Sequence, residues 1–469
     1  MAPPQEDYSP IAPEDFAESQ DSINFDLAEA LSNYRKFNPY MTCSGEIFDL
    51  VVERLIGEMR AWYIESIGTR FREPGNLNML VRILTNLAFN SIISPEKYLS
   101  IPFSRHFYSA DTRYQPKFGG QPYAKKVREF MESTNLIEYY RGFHDRTTGN
   151  SRFTRIRATN QLHELFQGIQ VTQFQSNKYQ EHLILRDASK QPIEYVDADF
   201  PFLHFWRQDI TVINELIADS WIDLFVPDTT YQELCNTSLD LTRTTLCRIF
   251  NNSSFELHGR FYYGWWQEIE SQYRQFITID GEQTIELDYS SMNVALLYSE
   301  SGIALPQGDL YQVNGYDRQD CKLVFNIMLN NDSRSTAVRA AIGNNSEIEL
   351  SATQVNELLD ALEEKHNQIS SSFYSEVANR LMFKESKIAN LLMLRLAEQN
   401  IVTLPIHDGF IVQRRHGELL RQMMASCFRT ITDGDVNVPP PVVSISEPLD
   451  FEAHFDEYSM YYERRTNNE

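Results

Sequence analysis

The spacing of apolar positions changes along the chain, and each change marks an element. AKKVREFMESTNLI carries Val127, Phe130, Met131 and Leu136 at near-helical intervals and predicts a helix. The following IEYYRGFHDRTTGNSRFTRIRAT predicts two short strands around a Thr-Gly-Asn tip, and Asn160 to Phe166 returns to a helical period. HLILRD and PIEYVD read as short strands either side of Ala188-Ser-Lys-Gln. The run from Phe202 to Phe225, with Phe205, Ile210, Ile213, Ile217 and Trp221 on one face, reads as a long helix. GEQTIELDYS predicts a hairpin turning at Asp280-Gly281, with Thr284, Glu286 and Asp288 on one face of the second strand and Ile285 and Leu287 on the other. After Asp288, Met292, Ala295, Leu296 and Tyr298 fall in a helical run. LPIHDGFIV, residues 404–412, sets a charged pair between two apolar runs and predicts another hairpin, turning at Asp408-Gly409. Short strands interleaved with helices make this an α+β chain.

Composition narrows the class. A chain of 469 residues with 42% hydrophobic positions is long enough for two to four domains with proper cores. Five cysteines stand apart with no Cys-x-x-Cys pair, which argues against a zinc site or a disulfide framework and fits a reducing cytoplasm. No run approaches 18 apolar residues, and MAPPQEDYSP lacks the order of a signal peptide. Neither a membrane partner nor export is expected, and oligomeric state is not legible.

A formal charge of −23 argues against a nucleic-acid partner until its location is considered. Residues 1–30 hold eight acids and no Lys or Arg, and residues 447–469 hold seven acids against two arginines, so the two ends carry −13 of the total. The first end reads as a disordered acidic tail. The last, with Phe451, Phe455, Tyr458, Tyr461 and Tyr462 interleaved, reads as a tail that folds back. Between Arg105 and Arg157 the sign reverses to a basic island containing Lys125, Lys126, Arg152, Arg155 and Arg157. A helix, a basic hairpin and a second helix there outline a winged helix, whose wing would carry Arg152, Arg155 and Arg157 along phosphates. The ordinary alternative is a helix and hairpin with a solvated charged face.

Two carboxylates and one helical stripe carry the candidate chemistry. Asp288 ends a strand where the chain turns into a helix, and Asp408 sits in the second hairpin turn, so the two could share a metal ion. In GYDRQDCKLVFNIMLNN, Arg318, Lys322, Asn326 and Asn330 recur every four residues and so share one face. Two cations followed by two amides could hold a triphosphate. Each feature alone has an ordinary reading, as a hairpin turn or as a solvated helix face.

Together, Asp-Tyr-Ser before a helix, Arg-x-x-x-Lys on a helix and His-Asp at a hairpin turn resemble motifs A, B and C of the family A DNA polymerases and the phage-type single-subunit RNA polymerases. RIFNNSSFELHGRFYYGWWQ and ESKIANLLMLRLAEQNIVTLPIHDGFIV further resemble a phage and mobile-element group with the same core, over roughly residues 240–430. The resemblance implies a right-hand palm with compact fingers at 241–445. Ahead of it would lie a helical and winged-helix-like DNA-binding region at 31–170 and a connecting, thumb-like region at 171–240, with acidic tails at 1–30 and 446–469. It implies two Mg²⁺ ions, or Mn²⁺, held by Asp288, Asp408 and the main-chain carbonyl of Tyr289. Arg318 and Lys322 would cradle phosphates, Lys322 also serving as proton donor, with Asn293, Asn326 and Tyr289 near the nucleotide. His407 would place a primer end, and Arg260 and Tyr262 would touch the nucleic-acid backbone.

Two positions depart from the family. Asn293 stands where the DNA polymerases carry Glu and the RNA polymerases a small residue, so the choice of dNTP or rNTP stays open. Asn330 stands where both carry an aromatic. Gly409 is smaller than the usual residue and would leave room for a primer backbone. No proofreading exonuclease pattern precedes residue 240. A DNA polymerase is the favoured expectation, ahead of an RNA polymerase or primase on the same palm and a non-catalytic DNA-binding protein.

Overall fold

The computed structural model describes residues 30–466 apart from 104–106, 109–111, 115–119, 145–146, 148–150, 178–179, 238, 344–347, 433–440, 445–452 and 454. The acidic N-terminal tail, Arg105, Lys117, Arg146 and most of the Thr-Gly-Asn tip therefore lie outside the described residues. The chain is mixed α and β, and it divides into two units, one made mainly of residues up to 181 and the other of His182–Leu241 with Thr245–Tyr461. No helix among the described residues is long and apolar enough to cross a membrane.

In the first unit β1 (Tyr34–Lys36) and β2 (Met41–Cys43) precede α1 (Glu46–Ile67) and α2 (Glu73–Ile93), followed by β3 (Tyr98–Ile101). Next come α3 (Gln121–Ser133), β4 (Ile137–Tyr140), the short pair β5 (Phe143–His144) and β6 (Ser151–Arg152), β7 (Thr154–Ala158), α4 (Asn160–Leu165) and β8 (Phe174–Ser176), which pairs with β2. α2 buries Met79, Leu80, Ile83, Leu84 and Leu87, a helical stripe, against α1 and α3. Val127, Phe130 and Met131 of α3 are all buried, as their spacing predicts. The sheet runs β1-β3-β7-β4, with β7 antiparallel to both β3 and β4.

β7 changes the reading of the basic hairpin. Arg155 is 4% exposed, lies over the Tyr34 ring and donates to the carbonyls of Leu31 and Phe153 and to Ser100 Oγ. It is a core residue, because the Tyr34 ring, the Leu31 carbonyl and Ser100 of the neighbouring β3 occupy the surroundings that a free wing would leave open. Arg157 forks onto Glu138 at 2.8 and 3.1 Å, and Arg152 lies over Phe143. On α3, Lys126 pairs with Glu129, while Lys125 is exposed.

In the second unit β9 (Leu183–Leu185) is followed by α5 (Leu203–Ala218), β10 (Ile222–Leu224), β11 (Cys247–Phe250) and β12 (His258–Tyr262). PIEYVD forms no strand: a single bridge joins Pro192 to Arg186, and Tyr195 reaches back to the Leu183 carbonyl. The long helix expected to Phe225 stops at Ala218. Beyond it Ile222, Asp223 and Leu224 are all buried, in a strand whose apolar residues cannot be told from helix by periodicity. β13 (Ile277–Ile279) and β14 (Glu282–Tyr289) form the Asp280-Gly281 hairpin, with both turn residues left-handed at φ 51° and 73°. Then come α6 (Met292–Glu300), α7 (Arg318–Asn330), α8 (Arg334–Ala341), α9 (Ala352–Lys365) and α10 (Ala378–Ala397). The unit closes with β15 (Leu404–Ile406), β16 (Gly409–Gln413), α11 (Gly417–Thr432) and β17 (Pro441–Ser444). Its main sheet runs β10-β13-β14-β16-β15, and β17 joins the far end of β14. Tyr458 stacks on Phe225 at 4.1 Å and Tyr461 is buried against Trp221, so these two C-terminal aromatics fold back, while Phe455 is exposed and Phe451 lies outside the described residues.

Removing a buried guanidinium strands the groups it satisfied. Arg155→Ala is expected to cost about 2–4 kcal/mol of stability in chemical denaturation, and Arg157→Ala, on a half-exposed pair, under about 1 kcal/mol. Equal losses for the two would contradict the burial argument.

Candidate active site

Asp288 and Asp408 come from neighbouring strands of one sheet. β14 and β16 pair antiparallel so that Asp288 lies opposite Gly409, and the Tyr289 N–H donates to the Asp408 carbonyl at 3.3 Å. The hairpin turns one residue earlier than its Asp-Gly signal predicts. Ile406 pairs with Gly409, so His407 and Asp408 form the two-residue loop, His407 being left-handed at φ 57°. Gly409 thereby enters the strand. A Cβ added there would meet the Ile406 carbonyl oxygen at 3.4 Å and Asp288 Oδ1 at 3.5 Å, ordinary van der Waals contacts.

Electrostatics marks the pair as unusual. Loss of hydration, and after it the Asp408 charge, lift the Asp288 carboxyl to about 7 against the opposing charge of Lys322. Asp288 keeps contact with solvent at the strand end, yet it is ringed by enough protein to lose hydration. Asp408 is also raised, first by burial, with Arg260 and Lys322 holding it down. Two carboxylates facing each other with too little positive charge between them fit a divalent cation. Mg²⁺ takes oxygen ligands and retains waters, so two carboxylates and a nearby carbonyl such as that of Tyr289 match its chemistry. Among the described residues no cluster of three or more acidic, His or Cys side chains forms a fuller cage. Tyr289 itself is buried between Phe410 and Phe428 and donates to the Met424 carbonyl at 2.6 Å, which fixes the backbone that follows Asp288.

The helical stripe of α7 meets this pair at one point. α7 starts at an Asp317 cap whose carboxylate accepts from the Gln319 N–H. Lys322 is exposed, makes no ion pair among the described residues, and acts on both aspartates. Arg318, one turn earlier, is not free for a phosphate: it pairs with Asp309 at 2.5 Å and lies over the Tyr311 ring. One turn later Asn326 accepts from Asn293 Nδ2 at 3.0 Å, joining α7 to α6. Asn293 Oδ1 is buried with no partner. Asn330 donates back to the Asn326 carbonyl.

On the other flank His407 tilts against Tyr262, which stacks on His258 and bonds its Nε2 at 2.9 Å. Burial and the Arg260 charge push both imidazoles down to about 4, so both are neutral at pH 7. Arg260 donates to Glu385 at 2.5 Å. Glu385 is 2% exposed, burial lifts it to about 7, and its Oε1 has no partner. Arg260 is thus a fixed charge beside Asp408, more than a surface contact. Glu385 was missed from sequence, although a glutamate in the Leu381, Ile388, Leu392 stripe of α10 breaks the apolar pattern and was the available signal. Ser291, left-handed at φ 58° just after Asp288, and Tyr311, which bonds it, were missed for want of any local pattern. Lys125, Lys126, Arg152, Arg155 and Arg157 belong to the first unit.

No family model matches the chain, and no curated protein matches it. Among solved structures, the polymerase domain of Pol1 from M. smegmatis, in complex with DNA primer-template and dNTP, is similar at 10% identity and a TM-score of 0.27. The match covers 86% of this chain and 66% of that one, so this chain spans just under two thirds of the similar protein. A score that low carries no argument, and the reading rests on the residues above.

Both Asp288 and Glu385 are acids held above their unfolded values of about 4. The metal-free fold therefore binds protons that the unfolded chain releases, and stability falls as pH rises from about 4 to 7. Asp288→Asn should raise Tm at pH 7.5 without metal by on the order of 2 °C. Millimolar Mg²⁺ should raise Tm of the wild type and not of the variant. An equal Mg²⁺ shift in both would place the cation elsewhere.

Proposed function

We propose that this chain is a template-directed nucleotidyltransferase, most simply a DNA polymerase of family A type without a proofreading exonuclease. One observation carries the reading: Asp288 near the end of β14 and Asp408 in the loop entering the paired strand β16 both have carboxyl pKa values raised above the usual range, and Lys322 is an exposed cation that acts on both. In this reading the main sheet of the second unit is the palm and α7 a compact fingers helix. Bound Mg²⁺, or Mn²⁺, would lower the pKa of a primer 3′ hydroxyl and offset the charge of the triphosphate. Asp288 and Asp408, with the Tyr289 carbonyl, hold the cations. Lys322 offsets charge on the leaving pyrophosphate and is placed to protonate it. Arg318 grips the outer phosphates after exchanging Asp309 for them. His407, neutral and tilted against the Tyr262–His258 stack, orients the primer end without adding charge.

In the first unit β3, α3 and the β4–β7 pair fit a winged-helix module that docks DNA, with Lys125 as its exposed cation and Arg152 and Arg157 contributing only where their own partners release them. Arg155 is excluded from that role by burial.

A second reading, RNA synthesis by a polymerase or primase on the same palm, is favoured by one detail. The unpartnered Asn293 Oδ1 is an acceptor that a ribose 2′ hydroxyl would satisfy.

Primer extension in Mg²⁺ tests the proposal. Asp288→Asn and Asp408→Asn should each lose on the order of 10³-fold in rate while binding primer-template within about threefold of wild type. Full extension by either variant would defeat the two-aspartate reading, and a wild type that binds primer-template without extending it would leave a non-catalytic DNA-binding protein. Running dNTP and rNTP in parallel, primed and unprimed, decides between the two polymerase readings: rNTP-only extension selects the second.

A further inference from the structure

A second site lies in the first unit, away from the acidic pair. The loop Gly68–Arg72 joins α1 to α2, and the N-terminus of α3 comes against that of α2. The approach is close because the Tyr123 ring occupies the place where a Cβ on Gly75 would be, 2.3 Å away. Beside this contact is an open groove of about 1130 Å³ whose lining includes Tyr63, Arg70, Phe71, Arg72, Asn76 and Tyr123.

Its chemistry is specific. Arg70 and Arg72 are exposed and make no ion pair among the described residues. Glu73 does not neutralise them, since it pairs with Arg60. Neither α2 nor α3 has a side-chain N-cap, and although Pro74 and Pro122 carry no N–H and the Tyr123 N–H bonds the Gly120 carbonyl, the positive ends of both helix dipoles point toward this region. Tyr63 and Phe71 meet edge to face at 5.4 Å and remain partly exposed, as does Tyr123. Asn76 supplies the independent sign of a ligand. It is 1% exposed, its Nδ2 donates to the Arg72 carbonyl at 3.0 Å, and its Oδ1 has no partner. A buried acceptor left empty at the wall of a groove asks for a donor from outside.

A ligand that suits these groups must bring an anion, a flat aromatic face and a hydrogen-bond donor. A nucleotide has all three, as phosphate, base ring and base N–H. The volume exceeds the roughly 300–1,000 Å³ of a small-molecule pocket, which fits a run of linked nucleotides. A duplex hides its base faces, and only a single strand can stack on Tyr63, Phe71 and Tyr123 while Arg70 and Arg72 follow its backbone. We infer that this groove binds single-stranded nucleic acid, positioning an unpaired segment on the first unit independently of catalysis at Asp288 and Asp408.

Fluorescence anisotropy on the full chain with labelled (dT)₁₂, without Mg²⁺, tests this. Arg70→Glu/Arg72→Glu should weaken strand binding at least tenfold and lower the slope of log affinity against log salt by about 1.4, two phosphate contacts' worth. Phe71→Leu should weaken it about fivefold or more. Arg54→Glu, exposed on α1 outside the groove lining, is the charge control and should change binding less than threefold. The same loss measured in an Asp288→Asn background separates the groove from the active-site reading, because it should persist even if that reading fails. The inference is overturned if the double variant matches the control, if a blunt duplex loses as much affinity as the strand, or if thymidine triphosphate alone displaces (dT)₁₂ as well as unlabelled (dT)₁₂ does.

Discussion

The second unit is organised around a repulsion. Two carboxylates are brought together by one strand pair, because β14 and β16 pair along five residues and Asp408 sits in the loop that leads directly into β16. Folding normally avoids this, since each carboxyl loses hydration and the Asp408 charge raises the affinity of Asp288 for a proton. Here the surroundings hold the arrangement without cancelling it. The Tyr289 backbone ties to Asp408, Lys322 partly compensates both carboxylates, and Arg260 compensates Asp408. Such frustration is tolerable when a cation arrives during function, and it explains why polar groups gather at this end of the sheet.

The flank opposite Lys322 depends on α10. Glu385 on that helix holds Arg260 of β12, and the next residue, Ser386, accepts from Arg248 of β11, whose guanidinium is enclosed by Trp206, Phe250 and Phe261. Burial is severe enough to pull Arg248 down to about 9. Buried ion pairs of this kind add little net stability, but they penalise any other register of helix on sheet. The result is a fixed positive charge at Arg260 whose position beside Asp408 does not depend on a flexible side chain.

Much of this was legible in sequence, and the failures have physical causes. The stripe at Arg318, Lys322, Asn326 and Asn330 and the strand ending at Asp288 follow from periods that local backbone geometry enforces. What each cation touches does not follow, so Arg318 was expected on phosphate although Asp309 already holds it. The alternate spacing of Arg155 and Arg157 follows from strand geometry, but that Tyr34 and Leu31 pack on Arg155 is a tertiary fact. His407 took the left-handed turn position that Asp-Gly signals would assign one residue later, because the pairing of Ile406 with Gly409 fixes the loop. Glu385 and Asn76 escaped notice since a buried polar residue announces itself only through what surrounds it.

The central claim is that Asp288 and Asp408 jointly hold two divalent cations. Electron paramagnetic resonance of Mn²⁺ added to the protein with primer-template and a non-hydrolysable nucleotide measures this directly. Ions about 4 Å apart should give an exchange-coupled spectrum at two Mn²⁺ per chain, and Asp408→Asn should abolish the coupling. An uncoupled spectrum from wild type, or coupling that survives in the variant, would contradict the account.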